Sequence, residues 1–224
     1  MKRAFIILAA VVLLGACEKE VSNKVDQDRI FTHYELSYDE NTDVTTARAT
    51  FRFSSLLGTR LMLSEPSMVS VDGMEMEWSD ENGYYEKSFS GLVPSAEFRW
   101  TDLDGNIFVN TAEIRDVEFP ATLPVLSHDD SVNYFMWAGL ALDSSESVLL
   151  TIDGVGQSDT RIFSVNTVGA TTITLDSLKL SQVDSGMVTL ILTKQYSPAL
   201  NEATSKGGLL VGTYRPADRT TLLD

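Results

Sequence analysis

The apolar residues of this 224-residue chain alternate with polar ones over short segments, and this period of two constrains its fold more than any other feature. The stretch TTARATFRF, residues 45–53, places its alanines and phenylalanines on one face of an extended strand, with threonines and arginines on the other. Such alternation is typical of antiparallel sheets with one face in a core and one in water. Long helical patterns do not occur after Arg29, so the sequence predicts an all-β protein.

Turn signals separate the alternating segments. Asp-Gly or Asn-Gly pairs occur at residues 72–73, 82–83, 104–105 and 153–154. Glycine readily adopts positive φ, so these pairs are typical of two-residue hairpin turns. Short strands joined in this way predict antiparallel sandwiches or barrels.

The segment VEFPATLPVL divides the chain in two. Pro120 and Pro124 cannot continue a central strand, and new alternations begin after them. We therefore expect two consecutive antiparallel β-sandwich domains, over residues 29–118 and 123–224. Each is about the size of an immunoglobulin-like sandwich and large enough to bury roughly 60–65% of its unfolded surface.

The second predicted domain can be divided into elements. Asp176 is a candidate N-cap for a single helical turn. The polar stretch Asn201–Gly208 is expected to be a hairpin loop, and residues 212–223 are expected to include a closing edge strand. The predicted strands cover residues 132–137, 148–153, 161–165, 171–175, 188–196, 209–214 and 220–223.

The amino terminus has the layout of a secretory signal. Lys2 and Arg3 precede an apolar run over residues 4–14, and small residues then lead to Cys17. The run of 11 residues is about half of the ~20 that a membrane-spanning helix needs. The sequence therefore predicts a signal segment over residues 1–17, with cleavage before Cys17.

The residues LGAC at positions 14–17 match the lipobox, so the amino terminus resembles that of bacterial lipoproteins. The resemblance implies that Cys17 carries a diacylglyceryl thioether, that the signal is cut before it, and that its new amino group receives an acyl chain such as palmitate. Two or more chains make membrane attachment stable. The alternative is a plain signal peptide with an incidental cysteine.

The residues after Cys17 bear on where the protein would be held. The cluster CEKE is similar to the surface-export signal of lipoproteins from Bacteroidota, which implies an outer-membrane location. Whether the protein faces the periplasm or the outside is left open. Residues 18–28 are expected to form a polar tether, which would span roughly 35 Å if fully extended.

Charge and cysteine content exclude several functions. Loss of Lys2 and Arg3 with the signal changes the formal charge from −15 to −17, because 15 basic residues then face 32 acidic ones. So acidic a body repels nucleic acid and anionic head groups, which leaves the lipid on Cys17 as the expected membrane contact. With the only cysteine acylated, disulfides, thiolate metal sites and a cysteine nucleophile are excluded.

The stretch FSGLVPSAEFRW, residues 89–100, resembles a region of fibronectin type III and related immunoglobulin-like domains. In those domains a leucine and a proline, here Leu92 and Pro94, precede the strand of the tyrosine corner. The resemblance implies an immunoglobulin-like sandwich. The corner position holds Phe98, which has no hydroxyl group to bond back to the backbone, so the exact strand topology is left open.

Catalytic and metal-binding patterns are weak. His33 is expected on a strand surface and His128 in a solvated loop. The stretch TDLDGN matches several calcium-loop positions, but Ile107 replaces the required glycine and the flanks alternate as strands, which favours a hairpin. We expect no metal, no cofactor and no enzyme activity; the alternative is a hydrolase with two carboxylates in a cleft.

Aromatic residues supply the remaining candidates. Trp78, Trp100 and Trp137 share faces with other apolar residues and are expected in cores, whereas Tyr84 and Tyr134 are candidate ligand contacts. The sequence thus predicts a non-catalytic binding or structural module with a glycan or envelope-protein partner. It resembles both the accessory lipoproteins of Bacteroidota polysaccharide-uptake systems and lipidated fimbrial subunits of the same bacteria, which polymerise by strand donation.

Overall fold

A computed structural model describes residues 20–128, 133–154, 156 and 160–224. The predicted signal peptide and Cys17 lie outside this range. Within it, strands dominate, and the helices are a single α-helical turn and two 3-10 turns at Ser22–Lys24 and Gln27–Arg29. The all-β class is confirmed. Among the described residues, no helix has the length and apolar character needed to cross a bilayer.

Ten strands precede the proline-rich segment. They are β1 (Glu20–Val21), β2 (Ile30–Asp39), β3 (Val44–Phe53), β4 (Arg60–Met62), β5 (Met68–Val71), β6 (Met74–Glu75), β7 (Glu77–Ser79), β8 (Tyr84–Ser90), β9 (Ser95–Thr101) and β10 (Ile107–Glu113).

Seven strands and one helix follow it. They are β11 (Asn133–Met136), β12 (Glu146–Asp153), β13 (Arg161–Val165), β14 (Thr172–Leu175), α1 (Ser177–Leu180), β15 (Gly186–Tyr196), β16 (Gly208–Arg215) and β17 (Arg219–Leu223). The described strand ends lie within two residues of those predicted. The Asp176 side chain accepts a hydrogen bond from the backbone N of Lys179 at 2.9 Å, as expected of an N-cap.

Three sheets build two sandwich-like bodies. The large sheet has the order β1-β4-β3-β2-β16-β15-β12-β13, with β8 also on β3, β7 on β8 and β17 on β15. A four-stranded sheet, β10-β9-β5-β6, packs with β2 and β3 around the first core, and the pair β11-β14 packs with β12 and β15 around the second. We call these the first body and the second body.

Aromatic rings fill the first core. Tyr34, Phe51, Phe98 and Trp100 are almost completely buried, and the Phe51 and Trp100 ring centroids are 5.0 Å apart. The core position expected for Trp100 is confirmed. Trp78 meets the expectation in part: it packs against the first core, but it lies on the short strand β7 beyond β8 and is only half-buried.

Leu150, Leu190, Leu192 and Phe135 fill the second core, and Trp137 is buried there as expected.

One strand belongs to both bodies. β16 pairs in parallel with β2, from Gly208 opposite Thr32 to Arg215 opposite Asp39, and near its carboxyl end it also pairs with β15. Leu210 of β16 packs into the first core. A continuous sheet therefore joins the two bodies. The domain limits at residues 118 and 123 stay a prediction.

The hairpin turns follow the sequence in three of four places. Asp72 and Gly73 have φ values of 47° and 76° and connect β5 to β6, which is the positive-φ pair that a two-residue hairpin requires. Turns at 82–83 and 104–105 join β7 to β8 and β9 to β10. At 153–154 the two-residue turn is wrong, because Asp153 still pairs with Thr189 of β15 and the connection to β13 runs to residue 160.

The carboxylate of Asp102 stabilises the hairpin between β9 and β10. Its Oδ1 accepts hydrogen bonds from the backbone N of Asp104 at 2.9 Å and of Asn106 at 2.8 Å. Its Oδ2 accepts one from the Asn106 side-chain amide at 2.9 Å. The residues that resemble a calcium loop therefore bond to one another in a turn, as the hairpin interpretation expects.

Residues 20–28 differ from the extended tether expected there. Glu20 and Val21 form β1 beside β4. The Ser22 hydroxyl accepts a hydrogen bond from the backbone N of Ser64 at 2.9 Å, and the Gln27 side-chain amide donates to the Ser22 carbonyl at 2.8 Å. Polar residues of this segment thus satisfy backbone groups of the body, so the segment packs against the first body.

Candidate functional site

The pairing pattern gives the molecule two ends along the strands. β16 lies beside β2 from Gly208 to Tyr214, over six residue steps. Tyr214 pairs with Lys194 of β15, and β15 continues in the same direction for eight more residue steps to Gly186. Together these steps correspond to a length of about 45 Å. We call the end that holds the β3–β4 connection the near end, and the end that holds Gly186 the far end.

The predicted modification site, Cys17, lies outside the described residues, but the first described strand shows where the chain enters the body. β1 is parallel to β4, with Glu20 opposite Leu61. The amino end of β1 therefore points to the near end, where residues 54–59 connect β3 to β4. Cys17 precedes Glu20 by three residues, which can span at most about 11 Å.

A cleft of about 560 Å³ lies at the near end, between residues 57–60 and 78–83. Trp78 forms part of its wall, and its indole N–H donates to Asp80 Oδ1 at 2.9 Å. Arg52 donates from Nη1 to the Gly58 carbonyl at 3.1 Å, and Arg60 donates to the Asn82 carbonyl.

The two guanidinium groups affect each other electrostatically. Arg52 and Arg60 are directly paired across β3 and β4. Burial, followed by repulsion from Arg60, lowers the pKa of Arg52. Two neighbouring guanidinium groups in one cleft can bind an oxyanion, since each offers several N–H donors in a planar fork.

Tyr84, the first candidate ligand contact, lies on β8 directly after the turn at 82–83 and is half-buried. The Arg48 guanidinium carbon lies 4.9 Å from the centre of its ring, and Arg48 is held there by Glu86, whose Oε2 accepts its Nε–H at 2.7 Å. One ring face of Tyr84 is thus covered by a cation. Its role as a ligand contact stays a prediction.

Tyr134, the second candidate, is exposed on the second body. It is 60% exposed on β11, and Met136 on the same face is 59% exposed, whereas Phe135 between them is buried in the core. Tyr134 pairs with Thr174 and Met136 with Thr172 across β14. This face, which we call the Tyr134 face, offers a flat aromatic and thioether surface with threonines beside it. Its role in binding stays a prediction.

A buried charge cluster, which the sequence analysis missed, joins the two bodies. Glu146 of β12 and Lys194 of β15 are 5% and 4% exposed, and Lys194 Nζ lies 3.2 Å from Glu146 Oε1. Arg115, which follows β10, donates from Nη1 to the same oxygen at 3.0 Å and stacks on the Tyr196 ring at 3.6 Å. In the sequence, the cluster is visible only as one charged residue on the otherwise apolar face of β12 and one on that of β15.

Hydrogen bonds determine the ionisation of Glu146. Burial alone would raise its pKa, but the backbone N of Asp143, at 2.8 Å from Oε2, together with Arg115 and Lys194, lowers the pKa below its ordinary value. A carboxyl group that acts as general acid needs a raised pKa. Asp143 and Glu146 both approach Arg115, so this carboxylate pair is arranged as an ion-pair cluster.

The two histidines lie apart from these features. The His33 side chain is 19% exposed, less than expected of a surface residue, and its Nε2 lies 3.7 Å from Glu35 Oε1. Burial lowers the pKa of His33 more than Glu35 raises it, so the imidazole is neutral at pH 7. His128 Nδ1 lies 3.4 Å from Ser185 Oγ. The rest of the SHDDS stretch after His128 falls outside the described residues.

Comparisons with known proteins give remote similarities. The FN1–FN3 domains of chicken CNTN1 share 12% identity at a TM-score of 0.28, and the match covers 86% of this chain and 63% of that one. A 1.5-MDa bacterial ice-binding adhesin, studied for host cell surface retention, shares 12% identity at a TM-score of 0.25, with 89% and 66% covered. The chain thus spans just under two thirds of each, and at these TM-scores neither similarity supports a functional argument. No protein-family model and no curated protein matches the sequence.

Proposed function

We propose that the protein is a lipid-anchored, non-catalytic module of the bacterial cell envelope, held at the outer membrane by acyl chains on Cys17. The observation that carries this proposal is the sequence LGAC at the end of the signal-like apolar run, followed within three residues by the first strand of the folded body. The acylated residue would thus lie at the very edge of the fold. The two bodies would then extend from the membrane, with the second body farther from the membrane than the first.

The chemistry of the described residues supports a binding or structural role. They contain no group of three or more His, Cys, Asp or Glu side chains that could hold a metal ion. Glu146 is held ionised by its cationic neighbours, which suits structure rather than proton transfer. The fimbrial alternative needs an unpaired strand edge to receive a donated strand; β2 is paired on both sides, so a donated strand would have to add to an end strand such as β13 or β10.

The ligand contact that we propose is the Tyr134 face. A tyrosine ring that is more than half exposed on a rigid strand can stack on the apolar face of a sugar, and Thr174 beside it offers a hydroxyl group. The face lies on the second body, away from the predicted anchor. These features favour a polysaccharide as ligand over nucleic acid, which the formal charge of the chain, −15 in full and −17 after the proposed cleavage, would repel.

Removal of the proposed anchor is expected to release the protein. In the Cys17→Ser variant no thioether can form, so the protein should move from the detergent phase to the aqueous phase on Triton X-114 partitioning and should lack the mass of the acyl chains. Glu18→Ser is the matched control, and it should keep both properties. An unchanged mass and partitioning in Cys17→Ser would contradict the anchor. Both variants should melt like the wild type, because both positions precede the first described strand.

Loss of the exposed ring is expected to weaken glycan binding. In a glycan array followed by calorimetry, Tyr134→Ala should lower the affinity for any polysaccharide that the wild type binds by up to about tenfold, in line with the ~0.5–1.5 kcal/mol that a stacked aromatic ring contributes. Tyr84→Ala is the comparison, with a smaller expected loss because Arg48 already covers one of its faces. Equal affinities of wild type and Tyr134→Ala would argue against this face as the contact.

A further inference from the structure

Two leucines project from the near end of the first body. Residues 54–59, which we call the leucine loop, connect β3 to β4, and Leu56 and Leu57 are 43% and 93% exposed. The loop is closed by backbone hydrogen bonds of 2.9 Å from Phe53 N to Thr59 O and from Gly58 N to Ser55 O. The backbone hydrogen bonds thus hold both leucines on the surface of the body, where their apolar side chains face solvent.

The leucine loop lies at the end where the chain enters the body. Because β1 and β4 are parallel, with Glu20 opposite Leu61, the segments that precede both strands lie at the same end. Leu57 is four residues before Leu61, at most about 14 Å away along the chain, and Cys17 is at most about 11 Å from Glu20. An acyl anchor on Cys17 would therefore bring the leucine loop to the membrane surface.

Two guanidinium groups lie beside the leucine loop. Arg52 and Arg60 line the cleft together with Leu57. Arg52 donates one hydrogen bond to a carbonyl of the leucine loop, and Arg60 donates one to a carbonyl of the turn between β7 and β8. Each guanidinium has five N–H donors, so both keep capacity for phosphate oxygens. Asp80 and Glu81 line the cleft too. The two basic and two acidic side chains of the cleft cancel in formal charge, and the formal charge of the whole chain opposes long-range docking. The guanidinium groups would therefore act by hydrogen bonds at short range, once the anchor has brought them to the surface.

We infer that the leucine loop, with Arg52 and Arg60, is a second membrane contact, in which Leu56 and Leu57 enter the lipid interface and the guanidinium groups bind phospholipid phosphates. This inference rests on the proposed anchor at Cys17. It fixes the orientation of the protein: the near end lies on the bilayer, and the second body points away from it.

The sequence offers a direct test. Cys17 is the only cysteine, so once it is acylated an introduced cysteine is the only free thiol. Leu57→Cys and Leu178→Cys are each labelled with a polarity-sensitive fluorophore in the full-length, lipidated protein and reconstituted into phosphatidylethanolamine–phosphatidylglycerol vesicles with brominated acyl chains. Leu178, on α1 of the second body, is 77% exposed and serves as the matched control. We expect the bromine atoms to quench the Leu57 label at least threefold more than the Leu178 label.

Three outcomes are decisive. Stronger quenching at residue 57, reduced about twofold when Arg60→Gln is added, supports the inference. Equal quenching at both positions, in protein that floats with the vesicles and carries the acyl mass, overturns the membrane contact and leaves the anchor intact. Protein that does not float and still has a free thiol at Cys17 overturns both the anchor and the contact that rests on it.

Discussion

The Glu146→Leu variant is expected to lose about 3–5 kcal/mol of unfolding free energy, because it leaves the ammonium group of Lys194 buried without its carboxylate. Lys194 is 4% exposed, and Glu146 Oε1 lies 3.2 Å from its Nζ and 3.0 Å from Arg115 Nη1. Lys194→Leu should cost less, since Glu146 keeps its hydrogen bonds from Arg115 and from the backbone N of Asp143. Equilibrium unfolding in urea measures each change.

The double variant Glu146→Leu/Lys194→Leu distinguishes an ion-pair effect from a packing effect. Replacement of both charges by apolar side chains removes the unpaired charge, so stability should recover to within about 1–2 kcal/mol of the wild type. A double variant as unstable as the sum of the single variants would show that the loss came from packing around the substituted side chains.

The same carboxylate makes a pH-dependent contribution. The pKa of Glu146 is lower in the folded chain than its ordinary value near 4.5. Its contribution to stability is therefore present above about pH 4.5 and is lost as the pH falls through the lower folded-state pKa. The wild type should lose more unfolding free energy across this window than the double variant does; parallel pH profiles would contradict this.

The Gly212→Ala variant is expected to lose about 3 kcal/mol or more, because β16 passes so close to the end of β10 that only glycine fits. A Cβ atom at residue 212 would lie 1.7 Å from the Glu113 carbonyl oxygen and 2.6 Å from its carbon. Both are backbone atoms, so the strain cannot be relieved by a rotamer change. Relief requires β16 to shift away, which weakens its pairing with β2.

Val211→Ala is the matched control for this strand. Val211 is half-buried, and its shortening should cost about 1 kcal/mol. Hydrogen exchange gives a second readout, because Gly212→Ala should raise exchange selectively at amides of β2 and β16, the pairing that the methyl group disturbs. Similar melting and similar exchange in the two variants would show that the backbone can accommodate the methyl group.

Local signals in the sequence predicted most of the strands. Alternation, turn pairs and the Asp176 cap act between residues close in the chain, so β11–β17 and the turn at 72–73 lie where they were expected. Alternation also distinguishes inward from outward positions, which is why Trp100 is buried and Tyr134 is exposed as predicted.

Pairing between distant segments could not be derived in this way. Nothing local indicates that β16 pairs with β2, because the partners are about 176 residues apart and many strands have compatible patterns. The polar composition of residues 20–28 indicated a tether, yet Ser22 and Gln27 are buried, and each accepts a hydrogen bond from a backbone N of the first body. In the sequence, Glu146 and Lys194 are single charges on otherwise apolar faces, and their pairing depends on the β12–β15 register.

The pairing of β16 with β2 also determines the order in which the chain can be completed. β16 begins at Gly208, about 176 residues after Thr32, its partner on β2. A polypeptide that emerges amino end first from a ribosome cannot close the first core until Gly208–Arg215 has emerged. The first core therefore stays open while the residues between β2 and β16 are being made.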